Sequence, residues 1–220
     1  EGVKKLLPFS SMKEKLTKLN LNFYEIENLK FEYIYPNFIV AGEITFFAAA
    51  ASSGKSLTTF EFCYRAISRN VVENLIYIDA DNSKTTVQQR RIHEKVRNFE
   101  DRITYVVSKK REEINSLIGD LLKIDLKATI IVFDSIKNFF DGLDRDKNKD
   151  VSKVLDKLKR LRDNGATVIF LHHTNKPKHD IDELMYAGSS AFLEDTSNAF
   201  ILKHNKDKNT FIFTSIKNRV

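Results

Sequence analysis

The sequence predicts an α/β fold in which a mainly parallel sheet is flanked by helices and is followed by a C-terminal antiparallel hairpin. Three observations predict it. A strand-like run leads through small residues into Gly54-Lys55-Ser56, where a helical pattern begins. Almost wholly apolar strands then alternate with amphipathic helices, which is typical of a parallel sheet covered on both faces. Finally, two strand-like segments flank the polar residues 205–209.

Composition bounds the class of protein. With 220 residues, of which 42% are hydrophobic and 30% charged, the chain can form one domain with a substantial core. The single cysteine, Cys63, excludes an internal disulfide framework and a cysteine-rich zinc site. No apolar run approaches membrane-spanning length and no signal-peptide pattern opens the given sequence, so we expect a cytoplasmic protein without membrane contact. The net charge of +6 permits an acidic polymer as partner without requiring one.

Two regions are predicted along the chain. Residues 1–29 are expected to be a linker with a short amphipathic helix, since Met12, Leu16 and Leu19 recur at helical spacing between lysines. That helix could pack on its own domain or on a neighbouring subunit. Residues 30–220 are expected to form the α/β domain. The chain does not begin with methionine, so we expect a fragment of a longer protein.

The elements of this domain follow from hydrophobic periodicity. Strands are predicted at residues 44–48, 75–79, 103–107, 129–134, 167–172, 198–204 and 210–216. Helices are predicted at residues 55–70, 83–97, 112–123 and 151–163. Two polar stretches, residues 139–150 and 175–190, follow strands at the edge where open α/β sheets bind ligands. They are either functional loops or solvated connections.

The segment between the first long strand and its helix predicts a phosphate-binding loop. Backbone N–H groups wrap a phosphate there, Lys55 reaches the β- and γ-phosphates, and the Ser56 hydroxyl ligates Mg²⁺. The predicted nucleotide-binding residues are Ala51, Ser52, Ser53, Gly54, Lys55, Ser56 and Leu57. The usual first glycine is replaced by Ala49, and we expect strain there from a positive φ. The strand before and the helix after argue against a chance Gly-Lys-Ser.

Carboxylates and histidines stand at three other strand ends. Asp134 ends an apolar strand, as needed for an acid that supports Mg²⁺. Either Asp79 or Asp81 could orient the attacking water, and Asp81 has the freer reach. His172 and His173 end a further strand, and only one of them is expected to face the site because side chains alternate. Zinc binding by the two histidines is not favoured, since no cysteine or acid lies at suitable spacing.

Together these residues resemble the RecA-type P-loop ATPase core, and most closely the hexameric replicative helicases of the RepA-like and DnaB-like kind. The resemblance covers about residues 30–220. It rests on the phosphate loop, Asp81, Asp134-Ser135, the run His172-His173-Thr174-Asn175-Lys176, the segment Gly188-Ser189-Ser190-Ala191 and the final Lys217-Asn218-Arg219.

The resemblance implies a role for each of these positions. Lys55 and Ser56 would bind ATP and Mg²⁺, with Asp134 as the acid that supports the metal. Asp81 stands where the family has a catalytic glutamate, so the acid here is shorter. His173 would be the γ-phosphate sensor. Lys217 and Arg219 would reach the nucleotide of a neighbouring subunit, which makes hydrolysis depend on assembly.

The resemblance also implies a function and partners. The expected protein is a homo-oligomeric, hexameric ring that hydrolyses ATP to translocate on single-stranded DNA, with a primase or polymerase module outside this fragment. Its two loops would face the DNA through Arg145, Lys147, Lys149, Lys176 and Lys178. Acidic residues in the first loop, residues 139–150, reduce its positive charge. We therefore expect the second loop, residues 175–190, to make the stronger contact with DNA. The alternatives are a filament-forming recombination or repair ATPase and a nucleotide-switched regulatory ATPase without motor activity.

Overall fold

The computed structural model describes residues 9–19, 27, 32–108, 110–139, 147–174, 190–205 and 207–218. The chain divides into two units, Glu1–Phe31 and Glu32–Val220. In the first unit a 3-10 turn, Phe9–Met12, precedes helix α1, Lys13–Leu19. Its side chains Met12 and Leu16 are exposed.

The second unit is built on two sheets. Its strands are β1 Tyr33–Tyr35, β2 Ile39–Val40, β3 Ile44–Ala49, β4 Asn74–Asp79, β5 Ile103–Val107, β6 Thr129–Asp134, β7 Thr167–His173, β8 Asn198–Asn205 and β9 Thr210–Asn218. β1 and β2 pair with each other, and the remaining seven form a sheet in the order β5-β4-β6-β7-β3-β8-β9. All neighbours in the large sheet are parallel except the β8–β9 hairpin. The predicted fold class is confirmed.

Helices cover both faces of the large sheet. They are α2 Lys55–Ser68, α3 Lys84–Gln89, α4 Ile92–Arg97, α5 Arg111–Leu121, α6 Asn148–Asp163 and α7 Ala191–Glu194. One core layer packs α5, α6 and α7 against the sheet, and the other packs α2 and α4 against its opposite face. Burial on two sides explains why the parallel strands are apolar throughout rather than alternating. No helix in the described part of the chain is long and apolar enough to span a membrane.

The helix predicted at residues 83–97 is wrong as a single element. α3 ends at Gln89, and Arg91 adopts a left-handed φ of 54° before α4 begins. The turn brings Ile92 into the core, whereas α3 buries no residue. The sequence gives no sign of this break, since neither glycine nor proline stands there and the side chains around it are all tolerated in helices. Only packing requires the turn.

The strand order brings the predicted site residues to one edge. β3, β7, β6 and β4 are consecutive parallel neighbours, so their carboxyl ends meet there. β7 lies between β3 and β6, with His173 paired in register with Ala49. On the other side of β6, Asp79 is in register with Asp134. The order therefore places the predicted γ-phosphate sensor between the phosphate loop and the predicted metal-supporting acid.

Candidate active site

The loop between β3 and α2 has two residues with positive φ. They are Ser52, with φ of 58°, and Gly54, with φ of 84°. The left-handed conformation of Gly54 favours glycine there, whereas among the described residues the only close contact of an added Cβ atom would be with the ring end of the exposed Phe211, which can turn away. Ala49 is instead the last, fully buried residue of β3 and pairs with His173. The strain expected at Ala49 is therefore wrong: the loop turns after it, and the left-handed conformation falls on Ser52.

A cavity of about 330 Å³ lies against this loop. Its walls are formed by Ala50, Ala51, Ser52, Ser53, Gly54, Lys55, Ser56, Leu57, Asp81, Asn82, Arg90, Lys137 and His173. It thus unites the predicted phosphate loop with Asp81 and His173. Three of the lining residues are cationic, Lys55, Arg90 and Lys137, and one is anionic, Asp81. This excess of positive charge favours a bound polyanion.

Lys55 and Asp134 form a buried pair behind the loop. The Lys55 Nζ lies 3.9 Å from Asp134 Oδ1, and the two side chains are 5% and 0% exposed. Burial lowers the pKa of Lys55 and raises that of Asp134, and in each case the charge of the partner opposes the shift. The pair therefore lies in a poorly solvated environment, where its charges would interact strongly with those of a bound ligand.

The carboxylate of Asp134 is also suited to a divalent cation. Its Oδ1 is buried and accepts no hydrogen bond from the described residues. Its Oδ2 accepts one from the hydroxyl of Tyr77 at 2.9 Å, and that hydroxyl is also 3.1 Å from the backbone oxygen of Ser56. Mg²⁺ prefers oxygen ligands and binds through one or two carboxylates together with substrate phosphates. Asp134 and Ser56 are therefore the residues that would hold it.

The two acids after β4 have different environments. Asp79 is fully buried, and its Oδ1 accepts hydrogen bonds from the backbone nitrogens of Asp81 at 3.1 Å and Asn82 at 2.9 Å. Its Oδ2 accepts another from the Tyr105 hydroxyl at 2.7 Å. Asp79 therefore shapes the turn that presents Asp81 to the cavity. The geometry favours Asp81 over Asp79 as the acid near a bound phosphate.

Asp81 is surrounded by hydrogen-bond donors. Its Oδ1 accepts from Asn138 Nδ2 at 2.7 Å and lies 3.3 Å from the Nζ of Lys137. Its Oδ2 lies 3.4 Å from His173 Nε2. Burial raises the pKa of Asp81, but the hydrogen bonds from His173 and Asn138 and the charge of Lys137 outweigh it and hold that pKa well below its ordinary value.

The two histidines at the end of β7 lie on opposite sides of the sheet, as the alternation predicts. His172 is fully buried, with its ring centroid 4.7 Å from that of Phe192. His173 lines the cavity, and its Nε2 is 3.4 Å from the Nζ of Lys137 as well as near Asp81. Only His173 is therefore placed to contact a bound nucleotide.

Sequence reasoning missed four side chains at this site. Lys137 and Asn138 stand in the 3-10 turn Ile136–Phe139 directly after β6, and Arg90 lies in the turn between α3 and α4. Tyr77 lies within the apolar strand β4. Lys137 and Asn138 carry a usable sequence signal, since polar residues just beyond a strand end lie at the edge of the sheet where ligands bind. Tyr77 and Arg90 carry none.

The remaining predicted residues lie elsewhere. Lys217 donates to the backbone oxygens of Leu193 and, at 2.9 Å, Glu194 of the same chain. Lys147 precedes α6 and Lys149 stands in its first turn, both exposed. Lying outside the described residues are Arg219, Arg145, Lys176 and Lys178. The trans-acting and DNA-binding roles therefore stay predictions.

A family model described as an AAA domain matches residues 12–179. The match extends over more than half of the chain and includes the phosphate loop, Asp81, Asp134 and His173. It ends before the C-terminal hairpin. No curated protein matches the chain.

Proposed function

The chain belongs to the AAA domain family and is a P-loop ATPase, and on this basis we propose that it is the motor domain of a ring-forming replicative DNA helicase. The observation that carries the proposal is the single cavity in which Asp81 and His173 stand together with the phosphate loop and Lys55. Its residues can bind a triphosphate and position a water molecule. The helicase assignment is supported by the resemblance of residues 30–220 to RepA-like and DnaB-like cores.

Nucleotide binding would use both the backbone and the side chains of the loop. The 14-residue helix α2 begins directly after Gly54, so its first N–H groups and its positive dipole end are available to phosphate oxygens. The buried ammonium of Lys55 would gain anionic partners, which offset the cost of its burial. Mg²⁺, when bound with ATP, would neutralise charge on the phosphates, and Asp134 and Ser56 are placed to hold it.

Hydrolysis would use the acid and the imidazole that share the cavity. Asp81 orients a water molecule and accepts its proton while the water oxygen bonds to the γ-phosphorus. The bond from that phosphorus to the bridging oxygen breaks, its electron pair leaves with ADP, and the proton passes to the phosphate product. His173 is positioned to donate a hydrogen bond to the transferring group.

Subunit assembly would complete the site. Lys217 is in register with Ala199, which in turn pairs with Phe46, three residues before the phosphate-loop end of β3. Since β9 runs antiparallel to β8, its last residues point away from the chain's own phosphate loop. The direction of β9 fits the proposal that Lys217 and Arg219 serve a neighbouring subunit, which rests on the resemblance; within the chain itself, Lys217 would have to leave the backbone oxygens of Leu193 and Glu194 to do so.

The test is ATP hydrolysis by the wild-type chain and by Lys55→Ala, with and without single-stranded DNA. Lys123→Ala is the matched control, because its ammonium pairs with Asp120 on an exposed surface. We expect DNA-stimulated hydrolysis that is lost only in Lys55→Ala. Full activity of Lys55→Ala would refute the assignment of the loop.

Two alternatives predict different results in the same preparation. A recombination or repair ATPase would form helical filaments on DNA, and electron microscopy with an ATP analogue would show them instead of closed rings. A nucleotide-switched regulatory ATPase would hydrolyse ATP at a rate that single strands leave unchanged.

A further inference from the structure

Lys137 is a cation of the cavity that the phosphate-loop pattern does not include. It follows Asp134 by three residues, and its side chain is 36% exposed. Its Nζ lies 3.3 Å from Asp81 Oδ1 and 3.4 Å from His173 Nε2. Lys137 therefore contacts both cavity residues to which the hydrolytic step has been assigned.

The backbone that carries Lys137 is held on both sides. Ile136 and Phe139 are buried in the core, and the nitrogen of Asn138 donates to the backbone oxygen of Ser135 at 3.1 Å. Asn138 also donates its side-chain amide to Asp81. The turn is thus fixed, while the ammonium at the end of a flexible four-carbon stem can reach a different partner in the cavity.

The cavity places this ammonium near a second one. Lys55, whose side chain is 5% exposed, and Lys137 both line the cavity. Two positive charges that line the same partly buried cavity repel each other. A multiply charged anion placed between them would relieve the repulsion, and the cavity between the loop and Lys137 has room for one.

We propose that Lys137 binds the γ-phosphate of a nucleoside triphosphate and in doing so exchanges Asp81 for that phosphate. This proposal rests on the proposed function, since it requires a triphosphate in the cavity. Lys137 is then a catalytic residue supplied by the same subunit. On this proposal a diphosphate would not extend to Lys137, so with ADP the pair with Asp81 would persist.

The exchange explains how an acid with a strongly lowered pKa can act as a base. In the structure the Asp81 carboxylate accepts from Asn138 and is close to both Lys137 and His173, and a carboxylate so stabilised has little tendency to take a proton. Transfer of Lys137 to the γ-phosphate removes one positive partner from Asp81. The group becomes more basic when the triphosphate is in place, which links proton acceptance to the presence of substrate.

The test compares the binding of two nucleotides in the presence of Mg²⁺. The probes are ADP and the β,γ-imido analogue of ATP, and the variants are Lys137→Ala, Lys137→Met and the control Lys123→Ala. We expect both Lys137 variants to weaken binding of the analogue by about tenfold and to leave ADP binding unchanged, since one charge-assisted contact is lost. Equal effects on the two nucleotides, or no effect on either, would overturn the proposal.

A second comparison separates contact with phosphate from positioning of Asp81. If Lys137 touches the γ-phosphate, the tenfold effect of Lys137→Ala on analogue binding persists when Asp81→Asn is also present. If it acts only through Asp81, the effect disappears in that background and the proposal fails.

Failure of the proposed function would look different. A wild-type chain that binds neither ADP nor the analogue would refute nucleotide binding itself. A wild-type chain that binds both, with the same ratio of dissociation constants in Lys137→Ala, would refute the role of Lys137 alone. Thermal unfolding of each variant shows that the fold is retained, and Lys137→Met keeps most of the stem that packs in the turn.

Discussion

The hydroxyl of Tyr77 lies 2.9 Å from Oδ2 of Asp134, and both side chains are fully buried. The same hydroxyl is 3.1 Å from the backbone oxygen of Ser56. One side chain in the middle of the sheet therefore joins the acid at the end of β6 to the first turn of α2. These are the two elements that would hold Mg²⁺ between them.

Replacement of Tyr77 by phenylalanine tests this link. Tyr77→Phe keeps the ring but leaves a buried carboxylate oxygen without its donor, which costs about 1–3 kcal/mol of unfolding free energy. We also expect hydrolysis to need a higher Mg²⁺ concentration for half-maximal rate. Urea unfolding and Mg²⁺ titrations measure the two effects.

The matched control is Tyr105→Phe. Tyr105 stacks on Tyr77 with ring centroids 4.9 Å apart, but its hydroxyl donates to Asp79. It should lose stability without a change in Mg²⁺ requirement. The same Mg²⁺ requirement in Tyr77→Phe and the wild type would show that Tyr77 does not position Asp134.

The two acids after β4 should respond differently to neutral substitution. Asp81→Asn removes the predicted base and should lower kcat by about 100-fold or more while nucleotide binding and stability are largely kept. Asp79→Asn places an NH₂ group among the donors that now surround Asp79, so it should lower the unfolding free energy by about 1–3 kcal/mol. Steady-state hydrolysis and urea unfolding distinguish them. Substantial hydrolysis by Asp81→Asn would show that a group other than Asp81 is the base.

The low pKa of Asp81 also predicts how stability depends on pH. The folded-state pKa lies below the unfolded value of about 3.9, so the unfolded chain takes up the proton first as the pH falls. The stabilisation from Asp81 is present above that value and is lost on acidification. We expect the unfolding free energy to fall between about pH 5 and pH 2, less steeply for Asp81→Asn. Identical slopes in the two proteins would contradict the pairing.

Cys63 reports on the packing of α2. Burial raises the pKa of Cys63 to about 12, so the folded chain should react very slowly with a thiol reagent at about pH 8, and rapidly in urea. Mg²⁺ with an ATP analogue should slow labelling further, because it binds the folded state. This slowing should be absent in Lys55→Ala. Fast labelling of the native wild type would show that α2 opens readily.

The trans site makes a prediction about mixed assemblies. Arg219→Ala should assemble but hydrolyse ATP very slowly, and mixing it with Lys55→Ala should restore part of the activity. In the mixture some interfaces combine an intact loop from one subunit with an intact Arg219 from the next. Hydrolysis measured across mixing ratios gives the answer, and mixtures no more active than either variant alone would argue against a shared site.

Much of the site follows from local sequence. The phosphate loop, Asp134, Asp81 and His173 each stand at the end of a predicted strand or within two residues beyond it, and parallel strands bring their ends to one edge whatever the order of the strands. The alternation of side chains along β7 also distinguishes His173 from His172 without knowledge of the fold. These features depend on periodicity and strand ends, which neighbouring residues determine.

Tertiary structure decided what depends on contacts between distant parts of the chain. The order of the strands placed β7 between β3 and β6 and set Tyr77 beside Asp134, 57 residues away. It also brought Lys137 to Asp81, a pair that no local pattern indicates. The positive φ at Ser52 instead of Ala49 depends on how far β3 continues its pairing with β7. Local sequence determined the chemistry available at the edge of the sheet, and packing determined which groups meet there.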